Sequence, residues 1–216
     1  MHKQLIERPI ILAICGKSAS GKDTLAKWLS NYFSSFGLYV HNMTSCTTRP
    51  PREGEKDGEA YYFLDNAQFD KLIEERKLIE YTHFRGWNYG VLYNEVKSGY
   101  INIGVFNIEG LSSLEKDKYK YMIIPIYLNE SLRVRLRRSH DREKKWKLEY
   151  FRRAIADAIE FKGVERKLKH FHCKYIYLNK INNIHEQAQI IIKQLIKWGI
   201  FICKKETKEI RLGNFI

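Results

Sequence analysis

The chain has 216 residues, 44% of them apolar and 13% aromatic, which is enough to bury one sizeable core and excludes a disordered or low-complexity protein. No run approaches the roughly 18 uninterrupted apolar residues of a spanning helix, and the 4 cysteines form no CxxC pair and no metal-spaced arrangement with histidine. The formal charge of +13 points to anionic partners, from polyphosphates to nucleic acid and lipid surfaces, without choosing among them.

The first element is the apolar run Ile10 to Cys15, a buried strand by length and composition. It leads into GKSASGKDT, comprising Gly16, Lys17, Ser18, Ala19, Ser20, Gly21, Lys22, Asp23 and Thr24, and then into Leu25, Ala26, Trp28 and Leu29 at helical spacing. Strand, glycine loop and helix form the setting in which backbone N–H groups turn inward on a phosphate chain. The helix N-terminus adds positive potential, and a lysine reaches the outer phosphates. The segment is therefore read as a nucleoside triphosphate site. The residue after the lysine is ordinarily a serine or threonine whose hydroxyl touches magnesium. Here it is Asp23, either a hard oxygen ligand for Mg2+, direct or through water, or a cap of the helix.

A second strand is expected over Leu38 to Met43, followed by TSCTTRPPREGEKDGEAYYFLDNAQFDKLIEERKLIEYTHFRGWNYG from Thr44 to Gly90. Pro50 and Pro51 fix the backbone and keep the turn out of helix, so the guanidinium forks of Arg49 and Arg52 can face one anion. Such forks grip phosphate oxygens bidentately, and Tyr62 and Tyr89 can add hydroxyls to the same phosphate. Asp65 and Gln68 form a capping box before Phe69, Leu72 and Ile73. Further strands are expected at Tyr100 to Phe106, Met122 to Leu128 and Tyr175 to Leu178. Between the last two lies a charged helical stretch from Leu132, with arginines clustered around a short break. Ile184, Ala188, Ile191 and Leu195 give the last helix a core-facing stripe. The tail alternates weakly, as a short hairpin or a segment packed across the sheet edge. Alternating strands and helices of this kind imply an α/β fold with a parallel sheet and right-handed crossovers.

SCTTRPPREGEKDGEAYYF and IEYTHFRGWNYG, behind the phosphate loop, resemble the guanylate kinase family, and the resemblance runs from Pro9 to about Trp198. It implies one domain with a P-loop nucleoside-triphosphate-binding three-layer α/β fold around a central parallel sheet. That domain carries a small monophosphate-binding insert (45–97), a helical lid (137–153) and an extension (199–216) without family counterpart. It further implies transfer of the ATP γ-phosphoryl group to GMP or dGMP with Mg2+. In that scheme Lys22 and the loop hold the donor, and Arg49, Arg52, Tyr62 and Tyr89 hold the acceptor phosphate. Ser45, Glu80 and Asn107 face the base, Arg138 and Arg153 close the lid, and Asn179 lies near adenine. Glu80 would accept from guanine N1–H and the 2-amino group, which adenine cannot match.

The second half departs from the family pattern. Val105 and Asn107 stand where the family has two strand carboxylates, and Val91 replaces a hydroxyl residue. With the strand carboxylate gone, Asp23 becomes the expected source of an acidic oxygen for Mg2+. Arg135 and Arg142 have no secure counterpart. The ending GKDT also resembles phage-type deoxynucleoside monophosphate kinases, which keeps a broader acceptor range open. A non-catalytic guanylate-kinase-like module that docks phosphopeptides is the other alternative, and the presence of Gly16, Gly21 and Lys22 argues for the enzyme. The expected partners are the nucleotides, with no specific nucleic acid and no membrane, for a monomer or weak homodimer. Cys15, Cys46, Cys173 and Cys203 read as free thiols of a reducing compartment, and MHKQLIERP has no long apolar core, so a cytoplasmic location is expected.

Overall fold

The computed structural model of the protein describes residues 8–59, 61–84, 86–143, 148–171, 173–181, 183–204 and 209–212. Its centre is β1 (Ile10–Gly16), buried along its whole length. A strand can be apolar on both faces only when both are covered. Ile10, Leu12 and Ile14 pack on one side with Leu25, Leu29 and Phe33 of α1 (Lys22–Ser35) and Ile191 and Leu195 of α7 (Ile184–Lys197). Ile11, Ala13 and Cys15 pack on the other with Leu111 and Leu114 of α3 (Ile108–Leu114) and Leu168 of α6 (Val164–His170). Helix, sheet and helix are thus the three layers.

The main sheet has five parallel strands in the order β2 (Val40–Asn42), β7 (Ile101–Phe106), β1, β8 (Met122–Asn129) and β9 (Ile176–Asn179). β2 is shorter than the expected Leu38 to Met43. The Leu38 N–H is spent on Phe33 O at 3.2 Å, closing the C-terminal turn of α1 before the strand begins. The β1 and β7 C-terminal ends point at the phosphate loop and at the insert, where open α/β sheets bind ligands.

The insert builds a second sheet in the order β4 (Tyr62–Phe63), β3 (Ser45–Thr47), β6 (Trp87–Leu92), β5 (Leu78–Phe84), packed on α2 (Asn66–Glu74). The capping box stands as expected: Gln68 N donates to Asp65 Oδ1 at 2.7 Å and Asp65 N to Gln68 Oε1 at 2.9 Å. Between Leu78 and Glu80 the β5–β6 register shifts by one residue, so Leu78, Ile79 and Glu80 are all buried before alternation resumes. A bulge of this kind re-aims the following side chains, and it turns Glu80 and Thr82 inward together.

The charged stretch forms α4 (Leu132–Glu143) and α5 (Leu148–Glu160); residues 144–147 between them lie outside the described residues. The tail forms an antiparallel hairpin of β10 (Phe201–Lys204) and β11 (Glu209–Leu212), the hairpin of the two expected arrangements. Phe201 meets Phe33 edge to face at 5.1 Å and so pins the hairpin base to the core. Among the described residues no helix is long and apolar enough to cross a membrane.

Candidate active site

The loop between β1 and α1 is shaped by one steric demand. A Cβ at Gly16 would lie 2.7 Å from Leu128 O and 2.9 Å from Ser20 Oγ, so only glycine lets the loop turn against β8. Gly21, with φ 102°, is the N-cap of α1 and carries no capping side chain, which leaves the first N–H groups of the helix to a ligand. Ala19 holds a left-handed φ of 57°, a strained conformation of the sort stored at functional loops. Lys22 Nζ folds back onto Gly16 O (2.8 Å) and Lys17 O (3.1 Å), bridging the loop. Burial pushes its ammonium below the ordinary lysine value, and the Asp23 and Asp157 carboxylates pull it back up.

Asp23 is not the helix cap, since Gly21 holds that position and Asp23 lies within the first turn. Its exposed carboxylate lines a cleft of about 590 Å³ together with Ser18, Lys22, Arg49, Arg52 and Arg153. Arg49 is buried and clamped: Nη2 donates to both oxygens of Glu55 (3.1 and 2.8 Å), Nη1 donates to Pro50 O (2.7 Å), and the guanidinium lies over the Tyr61 ring at 5.4 Å. Glu55 also accepts from Arg52 N at 2.8 Å, which closes the proline turn. The Arg52 guanidinium is pushed down by burial and then by the nearby positive charges of Arg49 and Arg153. Three guanidinium groups thus crowd this part of the cleft, one of them paired with Glu55.

The expected tyrosine is displaced by one residue. Tyr62 turns away from the cleft and donates to Glu95 Oε1 at 3.2 Å, whereas Tyr61 lines the cleft beside Tyr89. Neighbours on a strand point to opposite faces, so the doublet contributes one ring to the site and one to the scaffold. Burial pushes the Tyr61 hydroxyl up to about 12, keeping it a hydrogen-bond donor. Glu95 is buried and also accepts from Thr44 N (2.8 Å), with His41 Nε2 at 3.0 Å, tying the insert to β2.

Beyond Lys22, Tyr61 and Tyr89 the cleft runs into a deeper recess of about 180 Å³ that carries Ser45, Glu80, Thr82 and Asn107. Burial pushes the Glu80 carboxyl up to about 8, and among the described residues it has no hydrogen-bond or ion-pair partner. A Cβ at Gly110 would come within 2.5 Å of Glu80 Oε2, so glycine there makes room for the carboxyl. Asn107 is the N-cap of α3: its Oδ1 accepts from Gly110 N (2.7 Å) and its Nδ2 donates to Thr82 Oγ1 (2.8 Å). The expected base contact is thus left to the second lone pair of that oxygen. Val91 is buried under the recess, opposite Ser45 in register.

Two further expected residues stand off the cleft wall. Arg138 does not line the cleft; it braces the loop from behind, Nη1 donating to Ser20 O at 2.7 Å, with Glu130 Oε2 3.6 Å from Nη2. Arg135, without a secure assignment in the sequence, lines the cleft beside Arg153. Asn179 lies at the exposed end of β9, accepting from Asn129 Nδ2 at 2.8 Å, away from both parts of the cleft. Lys17, Ser20, Gly21 and Thr24 shape the loop without lining the cleft. Sequence reasoning missed Tyr61, Thr82 and Asp157. Alternation from Glu80 could have found Thr82, and the i,i+4 spacing from Arg153 could have found Asp157.

A glycine loop on the central parallel strand, facing an arginine and tyrosine pocket on an inserted sheet, defines a P-loop nucleotide-binding α/β protein. The profile of guanylate kinase matches residues 6–195. A guanylate kinase of Mycoplasma genitalium is 30% identical over 194 residues, covering 86% of this chain and 76% of that protein. One of Thermobifida fusca is 44% identical over 80 residues, covering 37% of this chain and 39% of that protein. A crystal structure of guanylate kinase from Anaplasma phagocytophilum shares the fold, with a TM-score of 0.56 at 23% identity, covering 95% of this chain and 92% of that chain. The chain belongs to the guanylate kinase family.

Proposed function

We propose that the protein is an ATP-dependent nucleoside monophosphate kinase that transfers the γ-phosphoryl group to GMP or dGMP. The observation that carries this reading is the continuity of the two parts of the cleft. Ser18, Lys22, Tyr61, Tyr89, Val105 and Asp157 are among the residues that line both, so a base in the Glu80 recess delivers its phosphate to the arginines facing the loop. Phosphoryl transfer asks for alignment and charge neutralisation more than for proton chemistry, and no general base is assigned. Lys22 and the open N–H groups of α1 hold the donor phosphates. Arg52, Arg153 and the Tyr61 and Tyr89 hydroxyls take the acceptor phosphate, with Arg49 kept in place by Glu55. Ionised Glu80 accepts two hydrogen bonds from guanine, whereas adenine presents neither an N1–H nor a 2-amino group to a carboxylate. Two charged hydrogen bonds amount to at least ~100-fold preference for GMP over AMP.

Mg2+ fits the donor side. The cation commonly takes one or two carboxylates and otherwise phosphate oxygens and water, and Asp23 is an exposed carboxylate on the cleft wall beside Lys22. When bound, Mg2+ neutralises phosphate charge, and Asp23 is the residue that would hold it. The test is ADP formation with ATP, Mg2+ and each nucleoside monophosphate in turn, with Lys22→Ala as the control. Turnover with GMP or dGMP that vanishes in the variant is expected. Equal turnover with every monophosphate would replace the guanine reading by a broad acceptor range. Nucleotide binding without turnover would leave a binding module.

A further inference from the structure

Asp157 is buried, only 2% exposed, on the cleft-facing side of α5. Its Oδ1 accepts from Ser18 Oγ at 3.0 Å, and its Oδ2 accepts from Ser18 N at 2.9 Å and from Arg135 Nη1 at 2.8 Å. The same Arg135 nitrogen donates to Ser18 O at 3.2 Å. One carboxylate therefore joins α4, α5 and the phosphate loop in a closed ring of hydrogen bonds. Ser18 immediately precedes Ala19, whose left-handed backbone needs its neighbours to hold it.

Arg135 is itself buried, and among the described residues its Nε–H has no hydrogen-bond partner. Since its side chain lines the cleft, the unused donor is available to an anion bound against the loop. The acceptor-side groups Arg49, Arg52, Tyr61 and Tyr89 have no hydrogen bond to this ring among the described residues. A buried guanidinium stripped of its carboxylate would be left with an uncompensated charge and no fixed direction.

We infer that Asp157 is a positioning residue for the donor nucleotide: it holds Arg135 against Ser18, so that both the arginine and the loop are set before ATP arrives. This rests on the reading of the cleft as a phosphoryl-transfer site. Asp157→Asn keeps the size and an acceptor oxygen but removes the charge. It raises the KM and the calorimetric Kd for ATP by ~10- to 100-fold, the range of one charged hydrogen bond, and moves the KM for GMP less than ~3-fold. In an Arg135→Gln background the same change costs less than ~2-fold more, because the carboxylate acts through the arginine.

Unchanged ATP affinity in Asp157→Asn, or full additivity with Arg135→Gln, overturns the inference. Urea unfolding of each variant separates positioning from folding. If Asp157→Asn does not fold, the pair variant, which buries neither charge alone, is compared with Arg135→Gln: equal ATP affinity supports the inference and a further fall overturns it. Calorimetric binding of ATP reads Asp157 even if wild-type protein turns over no monophosphate, so the two readings fail separately.

Discussion

Glu80→Gln is the most informative substitution in the recess, because the chemistry proposed for Glu80 depends on a proton. Its carboxyl is pushed up to about 8 by burial, so at pH 7 only about one empty site in ten carries the carboxylate. Guanine offers two adjacent donors, and only the ionised form accepts both, so GMP binding must expel the proton. The affinity contributed by this group therefore rises ~10-fold per pH unit below about 8 and levels off above it. Glutamine has one acceptor oxygen and turns an N–H₂ toward the second guanine donor. The loss near pH 8 is ~10- to 100-fold, and it shrinks toward unity near pH 6, where wild type binds poorly too. Calorimetric titration of GMP into both proteins from pH 6 to 8.5 reads the ratio of Kd values, in which ionisation of the nucleotide phosphate cancels. A ratio that stays constant with pH refutes the reasoning. The same proton acts on stability. A carboxyl whose folded pKa is raised contributes stability that is complete below its unfolded value, near 4.5, and is lost as pH rises through about 8. Relative to Glu80→Gln, the nucleotide-free wild type should weaken across that window by at most about 5 kcal/mol.

Tyr61→Phe should raise the KM for GMP ~3- to 10-fold with little effect on unfolding. Tyr62→Phe should leave KM unchanged and cost about 1 kcal/mol in urea denaturation, through its lost bond to Glu95; the reverse pattern would return the role to Tyr62. Asp23→Ala should raise the Mg2+ concentration needed for half-maximal turnover by ~10-fold or more, with the urea midpoint moved little; equal activity across a Mg2+ titration would remove Asp23 as the ligand. Asn102→Ala should be a stability variant alone. The fully buried amide donates to Ile10 O, Lys97 O and Tyr100 O and accepts from Lys97 N at 2.8 Å, so its removal should cost about 2–4 kcal/mol and leave both KM values within ~2-fold.

Periodicity carried the fold. The central strands β1, β7 and β8 were legible because each is a mostly apolar run that is largely buried, and the expected strands agree with the observed ones to within a residue at each end except at the start of β2, where closure of α1 consumed Leu38. The donor loop was legible for the same reason that it works, since its glycines answer a local steric demand. The rest of the site was less so because it depends on direction. Tyr61 and Tyr62 are chemically equal in the sequence, and only the strand face separates them. Arg135 and Arg138 are one helical turn apart in an arginine-rich stretch, and which of them meets the cleft follows from how α4 lies on the loop. Asn107 lines the recess as the N-cap of α3, a role that needs the strand-to-helix turn that only the fold supplies.

The departures on β7 have a physical consequence for the donor side. With Val105 in the cleft wall, that strand brings no negative charge to the phosphates. Among the described residues, the main part of the cleft is lined by two carboxylates, Asp23 and Asp157. Asp157 already accepts from Ser18 N, Ser18 Oγ and Arg135, so most of its lone pairs are committed and its charge is balanced by the arginine. Glu80 and Glu160 line the deeper recess, where burial favours the neutral form of Glu80. Asp23 is left as the exposed carboxylate beside Lys22, on the first turn of a helix whose dipole favours negative charge there. These acids therefore differ by environment rather than by residue type: Asp157 is paired with an arginine, Glu80 is buried, and Asp23 is exposed.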